Sequence, residues 1–446
     1  MTVGGKTILS GAAWTFVTYA ISMSIRLGSN VVLSRFLAPE LMGVMVIIHT
    51  IRVGVELFSD LGFEQNVVGS EAGRDKDFLN TIWTMQLIRG LFLALVFFSI
   101  SPYLSSIYKV DSTIFYAVAF VPLINAMAST SIFSLVKDVQ VRKRYTFEIC
   151  CEILTFVVTM AVVWFWRDVW AIVIGMLCGV AARSSLSYLL PHPPHRLLLV
   201  KRHVIEIFRF GRWIMMSSVL MYASVQIDKI YLGNALPLAI FGIYGLARTI
   251  GDLPSVLAGR ICYQILFPVI SASRNLEDAA IIRAIGPPRM KLLLLGCIGM
   301  SVGIAWADYA VWILYDARYS AAGWMLSILL GGAWLAVLSS LNEAVLLSRM
   351  PAFQGISSAA RLVAMAIGLY IGTSYYGVTG ALGAVVAGEF CRYLVLSFGQ
   401  YKAGLTFMRQ DFALTALLVL LVLCWAEFRY ALGLGSTLDG LNFGVQ

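Results

Sequence analysis

Thirteen stretches of about 20 predominantly apolar residues follow one another along this chain, and a run of that number and length restricts the fold to a helical bundle in a bilayer. They fall near 12–34, 41–62, 81–103, 112–135, 148–166, 169–190, 213–233, 239–262, 290–315, 320–347, 352–372, 378–397 and 411–428. The tail 431–446 reads as either a partial fourteenth span or a disordered end. Composition agrees: of 446 residues, 59% are apolar and 13% charged, whereas a soluble domain carries roughly 25% charged residues. Such a chain lacks the polar groups to cover a water-facing surface. The predicted class is an all-α polytopic membrane protein of 12–14 spans.

Lys and Arg set the orientation. With the N-terminus cytoplasmic, inside loops hold nineteen of them, Arg274 and Arg289 included, and outside loops five: Arg35, Lys109, Arg167, Arg318 and Arg429. The formal charge of +9 is therefore mostly a positive-inside bias, and no nucleic-acid partner is needed to explain it. The opening segment lacks a charged n-region with a cleavage site, so the first span reads as a retained helix. All seven cysteines lie in or at the ends of apolar spans without a CxxC, as small buried hydrophobes do.

The chain reads as two halves. Residues 1–190 form an N-terminal six-helix lobe, and 213–400 a C-terminal one. Between them 191–212, PHPPHRLLLVKRHVIEIFRFGR, reads as a cytoplasmic linker, and 401–446 add a helix and tail. LSRFLAPELMG at 33–43 matches LGNALPLAIFG at 232–242, and at the same offset His49-Thr50-Ile51 falls on Arg248-Thr249-Ile250. An even number of spans per half predicts a parallel repeat about a pseudo-two-fold axis along the membrane normal, with a cavity between the lobes.

Charges inside the spans are the functional signal. Nine of the 33 Lys and Arg residues lie there: Arg26, Arg52, Arg89, Arg183, Lys229, Arg248, Arg260, Arg361 and Arg392. Each costs roughly 2.5–3.5 kcal/mol at a helix centre unless a partner, cavity or ligand receives it. His49, Arg52, Glu56 and Asp60 are spaced 3, 4 and 4, which places them on one stripe of the second span. Arg248 and Asp252 repeat the device in the eighth span, just before Pro254, and Ser22, Arg26 and Asn30 share a face of the first. A cation presented by each of three spans suits an anionic head group, because Arg holds phosphate bidentately and keeps its charge.

Arg26, Arg52 and Arg248 are thus the leading substrate-binding candidates, with Arg260 and Arg361 as weaker ones. No stripe singles out Arg260, Arg361 or Arg89, and packing is their plainer explanation. Arg52–Glu56 and Arg248–Asp252 also read as simple intrahelical pairs, as does Glu389–Arg392, and Asp228–Lys229 as an interfacial pair or outer gate. His49, Glu56, Asp60 and Asp252 are the candidates for coupling to protons or sodium.

No enzyme signature is present. Gly5-Lys6-Thr7 mimics the end of a phosphate-binding loop without its upstream glycine and strand, and HExxH and GxSxG are missing. His192, His195 and His203 lack companions at metal-ligand spacing, so no metal or cofactor is expected.

Several segments in matching order carry a family resemblance: GAAW at 11–14, LSRFLAPELMG at 33–43, LGFEQ at 61–65, FLNTIW at 78–83, Arg89-Gly90, QIDKIYLG at 226–233 and FGIY at 241–244. Over roughly residues 1–400 the chain resembles the oligosaccharide flippases of the MOP exporter superfamily. The resemblance implies a two-lobed bundle of 12 to 14 helices working by alternating access in the bacterial inner membrane. It also implies undecaprenyl-pyrophosphate-linked oligosaccharide as cargo, for O-antigen, exopolysaccharide or capsule assembly, beside a polymerase and glycosyltransferases. In the related lipid II flippases, arginines of the first, second and eighth helices face a cationic cavity, and Arg26, Arg52 and Arg248 stand on comparable helices here. The chain departs from the pattern by stopping after a thirteenth span. Three other readings compete: a multidrug/cation antiporter of the same superfamily, which would favour acidic sites; a membrane polymerase or acyltransferase, for which no long outer loop is present; and a scaffold subunit, which would leave the arginine stripes unexplained.

Overall fold

The computed structural model describes residues 5–192, 194–262, 278–347 and 349–437, all of whose regular structure is helical. Arg274 and the far end of the tail, 438–446, lie outside the described residues. The chain divides into two units, Met1–Tyr222 and Ala223–Gln446.

Unit 1 opens with α1 (Gly5–Phe36), a two-residue break, and α2 (Pro39–Leu57). Ala38 before the proline is extended (φ −71°, ψ 156°), and Pro39 stands in the first turn, where its missing N–H costs nothing. Beyond α2, Gly62 takes a left-handed conformation (φ 59°) and its N–H donates to Asp60 Oδ1 at 2.9 Å, so α3 (Phe63–Gly69) starts at a sharp corner. α4 (Lys76–Tyr108) is long and straight-through, while the fourth predicted span is broken into α5 (Ser112–Val118), α6 (Phe120–Ala126) and α7 (Ser131–Lys137), with a 54° bend before α7. Lys137 at the end of α7 donates to the carbonyls of Val67 (2.9 Å) and Ser70 (2.6 Å), satisfying acceptors that α3 leaves open. α8 (Val141–Phe165) and α9 (Val169–Ser187) complete the set.

The linker is not a free connection. Residues 191–192 and 194–200 are non-helical, and from Lys201 the chain is already in α10 (Lys201–Ala235). Along α4, Arg196 N–H donates to Asn80 Oδ1 (3.0 Å) and Leu198 N–H to Thr84 Oγ1 (2.9 Å). Alternate N–H groups of an extended segment meet side chains one helical turn apart, which explains why Asn80 and Thr84 are buried in an otherwise apolar helix. His195 stacks between Trp83 and His192, each ring 5.0 Å away. Burial, then the neighbouring His192, pushes its pKa down to about 4, so His195 is uncharged at neutral pH. Ile207 of α10 packs into a core of Phe63, Val67, Phe78, Leu79, Ile82 and Met85.

In unit 2 the second copy of the repeated motif makes the same corner. α10 ends at Ala235, and α11 (Leu238–Gly251) begins after Pro237, which occupies the N-cap rather than the first turn. The eighth predicted span breaks at Asp252, where α12 (Leu253–Ile261) starts with Pro254 in its first turn. Next come α13 (Asp278–Ala305), α14 (Ala307–Leu314), a 3₁₀ turn at Ala317–Tyr319, and α15 (Ala322–Leu347). α15 is buried on every side, as a helix apolar all round must be. The last two are α16 (Ala352–Lys402) and α17 (Met408–Ala431).

α16 is a hairpin of the two spans expected at 352–372 and 378–397, folded at Gly377 (φ 59°, ψ −134°). Its arms are in backbone contact at Gly372 and Gly380, where a Cβ on either would run into the other's carbonyl. In lipid, van der Waals contact between such small residues holds helices together. Gly380→Val should therefore lower stability by about 1–3 kcal/mol, the usual overpacking cost, read as a fall in thermal midpoint in detergent; an unchanged midpoint would show that the hairpin opens freely.

Seven described helices are long and apolar enough to cross a membrane, or eight if the bent α5–α7 segment is one span. This is fewer than the thirteen apolar stretches. The helices outside that set include α2, α10, α11 and α12, whose polar groups and breaks keep them from the simple apolar pattern. These are the helices that carry Arg52, Asp228, Arg248 and Arg260.

Candidate functional site

In unit 1 three of the four expected stripe residues, His49, Arg52 and Glu56, lie on α2, whereas Asp60 falls beyond the helix end at Leu57. Arg52 Nη1 donates to Glu56 Oε1 at 2.9 Å, with the two side chains 18% and 22% exposed. Arg52 Nε is a buried atom without a hydrogen-bond partner. Asp60 is not part of this pair: it caps the corner at Gly62 and accepts from Ser218 at 3.3 Å. His49 lies exposed on α2, one turn from Arg52. Arg89 donates from α4 to Ser59 Oγ (2.9 Å) and to the Glu56 carbonyl, so it ties down the end of α2, in keeping with the packing role expected of it. Arg26 on α1 reaches Glu152 of α8 at 2.7 Å and stays 70% exposed. That partner lies 126 residues away, beyond the reach of any local pattern.

Unit 2 arranges its cations differently. Arg248 is only 6% exposed and pairs with two carboxylates, Asp228 Oδ2 and Asp252 Oδ1, each at 3.1 Å. Asp228 is fully buried and also accepts from the Tyr244 hydroxyl. The expected interfacial Asp228–Lys229 pair is thus corrected: α10 aims the aspartate inward at α11. The expected Glu389–Arg392 ion pair is present, as the longer contact of a wider network. Those groups are 3.9 Å apart, while Glu389 takes Arg361 at 2.7 Å across the hairpin and Arg392 takes Glu343 of α15. Arg260, on α12, is half-buried and has contacts of its own.

The structure therefore brings Arg52 with Glu56, Arg248 with Asp252, and Arg361 with Glu389. It leaves Arg26 70% and Arg52 18% exposed and encloses Arg248 and Arg361 among carboxylates. Asp228, Glu152 and Glu343 are the participants that local spacing does not reveal. Two arginines assigned to loops are enclosed as well. Arg289 is 0% exposed on α13, bound to Asp411, Asn342 and Gln410, and Arg429 is 2% exposed, forked onto Asp308. Both are near span ends in sequence, where a loop and a helix terminus look alike.

A profile of the family described as Polysaccharide biosynthesis protein matches residues 32–320, well over half of the chain. The chain belongs to that family. Curated relatives include the teichuronic acid biosynthesis protein TuaB of Bacillus subtilis (strain 168), 22% identical over 77% of this chain and 72% of the relative. The lipopolysaccharide biosynthesis protein WzxC of Escherichia coli (strain K12) is 22% identical over 61% of this chain and 56% of that protein. Among solved structures, the lipid II flippase MurJ in an inward closed conformation superposes with a TM-score of 0.75 over 93% of this chain and 92% of that one, at 11% identity. An inward-facing multidrug MATE transporter of the MOP superfamily gives 0.65 over 87% and 98%, at 14% identity. This polysaccharide biosynthesis family member accordingly shares the multi-span helical fold of the lipid II flippase and of the MATE transporter.

Proposed function

We propose that the protein is an alternating-access flippase that moves undecaprenyl-pyrophosphate-linked oligosaccharide from the cytoplasmic to the periplasmic face of the bacterial inner membrane, with its N-terminus cytoplasmic. The observation that supports this reading is Arg52, a permanently charged fork within an apolar helix whose side chain is 18% exposed beside Glu56. Arg26, 70% exposed, is the second phosphate-binding group. Arg248 and Arg361, already neutralised by Asp228, Asp252 and Glu389, serve the cycle through the state of those pairs rather than as open anion hooks. Arg260, on α12, has a lesser part in binding. A polymerase and glycosyltransferases would consume and supply the cargo.

The MATE-like fold raises the antiporter alternative. An organic cation needs a free carboxylate, whereas Glu56, Asp228, Asp252 and Glu389 each face a guanidinium, which favours the anionic cargo.

Asp252, one-third exposed beside Arg248, is proposed to couple export to an ion gradient, with His49, Glu56 and Asp60 as the other groups able to titrate or bind a cation. Asp252→Asn should cut export by about tenfold, or roughly 1.4 kcal/mol of coupling, and flatten its response to collapse of the proton or sodium gradient. A variant that keeps both rate and response would exclude Asp252. The function itself is tested by the sidedness of lipid-linked glycan in a deletion strain. Accumulation on the cytoplasmic face, reversed by the wild-type gene, is expected; repeat units that reach the periplasm and stay unpolymerised would contradict it.

A further inference from the structure

One cavity remote from these clusters combines the groups that recognise a sugar. It lies in unit 2 beside α14, the 3₁₀ turn and the segment after α17, and its volume of about 460 Å³ falls within the roughly 300–1,000 Å³ usual for small-molecule sites. Its walls carry Asp308, Tyr309, Trp312, Asp316 and Ser320. Trp312 is 74% exposed and offers a broad apolar face. A pyranose presents C–H bonds on its flat sides and hydroxyl donors around its edge. Aromatic faces pack against the former, and carboxylates accept from the latter through charge-assisted hydrogen bonds.

The frame is rigid before any ligand arrives. Arg429 forks onto Asp308 at 2.8 and 2.7 Å, donates to the Ala305 carbonyl at 2.6 Å, and sits over the Trp306 and Tyr309 rings at 5.2 and 5.3 Å. Asp308 nonetheless keeps a third of its side chain exposed. Asp316 is held by the backbone N–H (3.2 Å) and guanidinium (3.1 Å) of Arg318 and stays 40% exposed. Such pre-ordering removes part of the entropic cost of binding. Anchoring in the bilayer interface explains an exposed Trp or Tyr, but not two carboxylates and a hydroxyl in the same wall, since ionised groups facing lipid are costly.

We propose that this cavity is a glycan-binding site that takes one pyranose unit, stacked on Trp312 and hydrogen-bonded through its hydroxyls to Asp308, Asp316 and Ser320. It rests on the flippase reading for the source of the sugar, and in the topology proposed above it opens to the periplasm, where emerging cargo would be held.

The test is calorimetric titration of the purified full-length protein with the repeat-unit oligosaccharide released from the host's own surface polysaccharide. Wild type should bind. Trp312→Ala should weaken binding by at least about tenfold, and Trp312→Phe, which keeps an aromatic face, by no more than about threefold. Asp316→Asn should weaken it severalfold while preserving the cap, which asparagine makes equally well. Because Trp312 is mostly exposed, its variants should keep the wild-type thermal midpoint. Equal affinity of wild type and Trp312→Ala, or no binding by wild type, overturns the proposal. Failure of the sidedness assay would overturn the flippase reading and leave the binding result standing, so the two are read separately.

Discussion

Export of the surface glycan is expected to fall at least about tenfold, a loss of roughly 1.4 kcal/mol or more of binding free energy, when Arg52 is replaced by alanine, with the amount of protein in the membrane unchanged. The pair with Glu56 is local, one turn along α2, and partly exposed. Intrahelical pairs of this kind contribute only about 0.3–0.5 kcal/mol when exposed, too little for its loss to unfold the chain. The alternative is that Arg52 merely neutralises Glu56. Under that alternative Arg52→Ala fails because a lone carboxylate remains in the helix, and the double variant Arg52→Ala/Glu56→Gln regains export. If Arg52 holds phosphate, the double variant stays inactive. Arg52→Lys separates charge from shape: a point charge restores part of the export, while the two-pronged contact to a pyrophosphate needs the guanidinium. Surface glycan measured by immunodetection, beside membrane abundance of each variant, decides among these outcomes.

The contrast between α2 and the other charged elements also shows what local sequence can and cannot convey. A 3.6-residue period fixes which side chains share a helix face, so the Arg52–Glu56 and Arg248–Asp252 pairs were readable from their i, i+4 spacing, whereas the break of the eighth span at Asp252 was not. The corner at Leu37–Ala38 was readable because Pro39 suits a helix start and nothing earlier. The thirteen apolar stretches gave the all-helical class. Spacing has no access to contacts between elements. Arg26 and Glu152 are joined by packing of α1 on α8, and Arg248 reaches Asp228 only because α10 and α11 meet at a proline corner. Arg361 and Glu389 carry no shared spacing, and only the hairpin at Gly377 folds them together, adding a 2.7 Å partner to the 3.9 Å contact that Glu389 keeps with Arg392. Hydropathy also places a residue only to within a helix turn or so of a span end. That is why Arg289 and Arg429, which are buried, read as loop residues.

Arg289 yields the opposite kind of effect from Arg52, in stability rather than in transport. Its guanidinium is fully enclosed, pairs with Asp411, and donates to Asn342 Oδ1 at 2.8 Å and Gln410 Oε1 at 2.6 Å, linking α13, α15 and α17. It also lies 4.8 Å over the Phe407 ring. Arg289→Met removes the cation and leaves Asp411, itself 1% exposed, with only the longer contacts from Asn342 (3.3 Å) and Tyr393 (3.2 Å). Breaking one side of a buried pair costs about 3–5 kcal/mol, because the remaining charge is uncompensated. The variant should therefore lose membrane abundance and export together, and melt well below wild type in detergent. Replacing both partners, Arg289→Met/Asp411→Leu, removes the stranded charge and should recover much of the midpoint, since apolar substitutes for a buried pair are often neutral. A single variant as stable as wild type would mean that water or lipid head groups reach Asp411. Read together, the two arginines give a rule for the remaining ones in this chain: a cation whose loss lowers export at constant abundance acts on cargo or coupling, and one whose loss lowers both holds the helices in place.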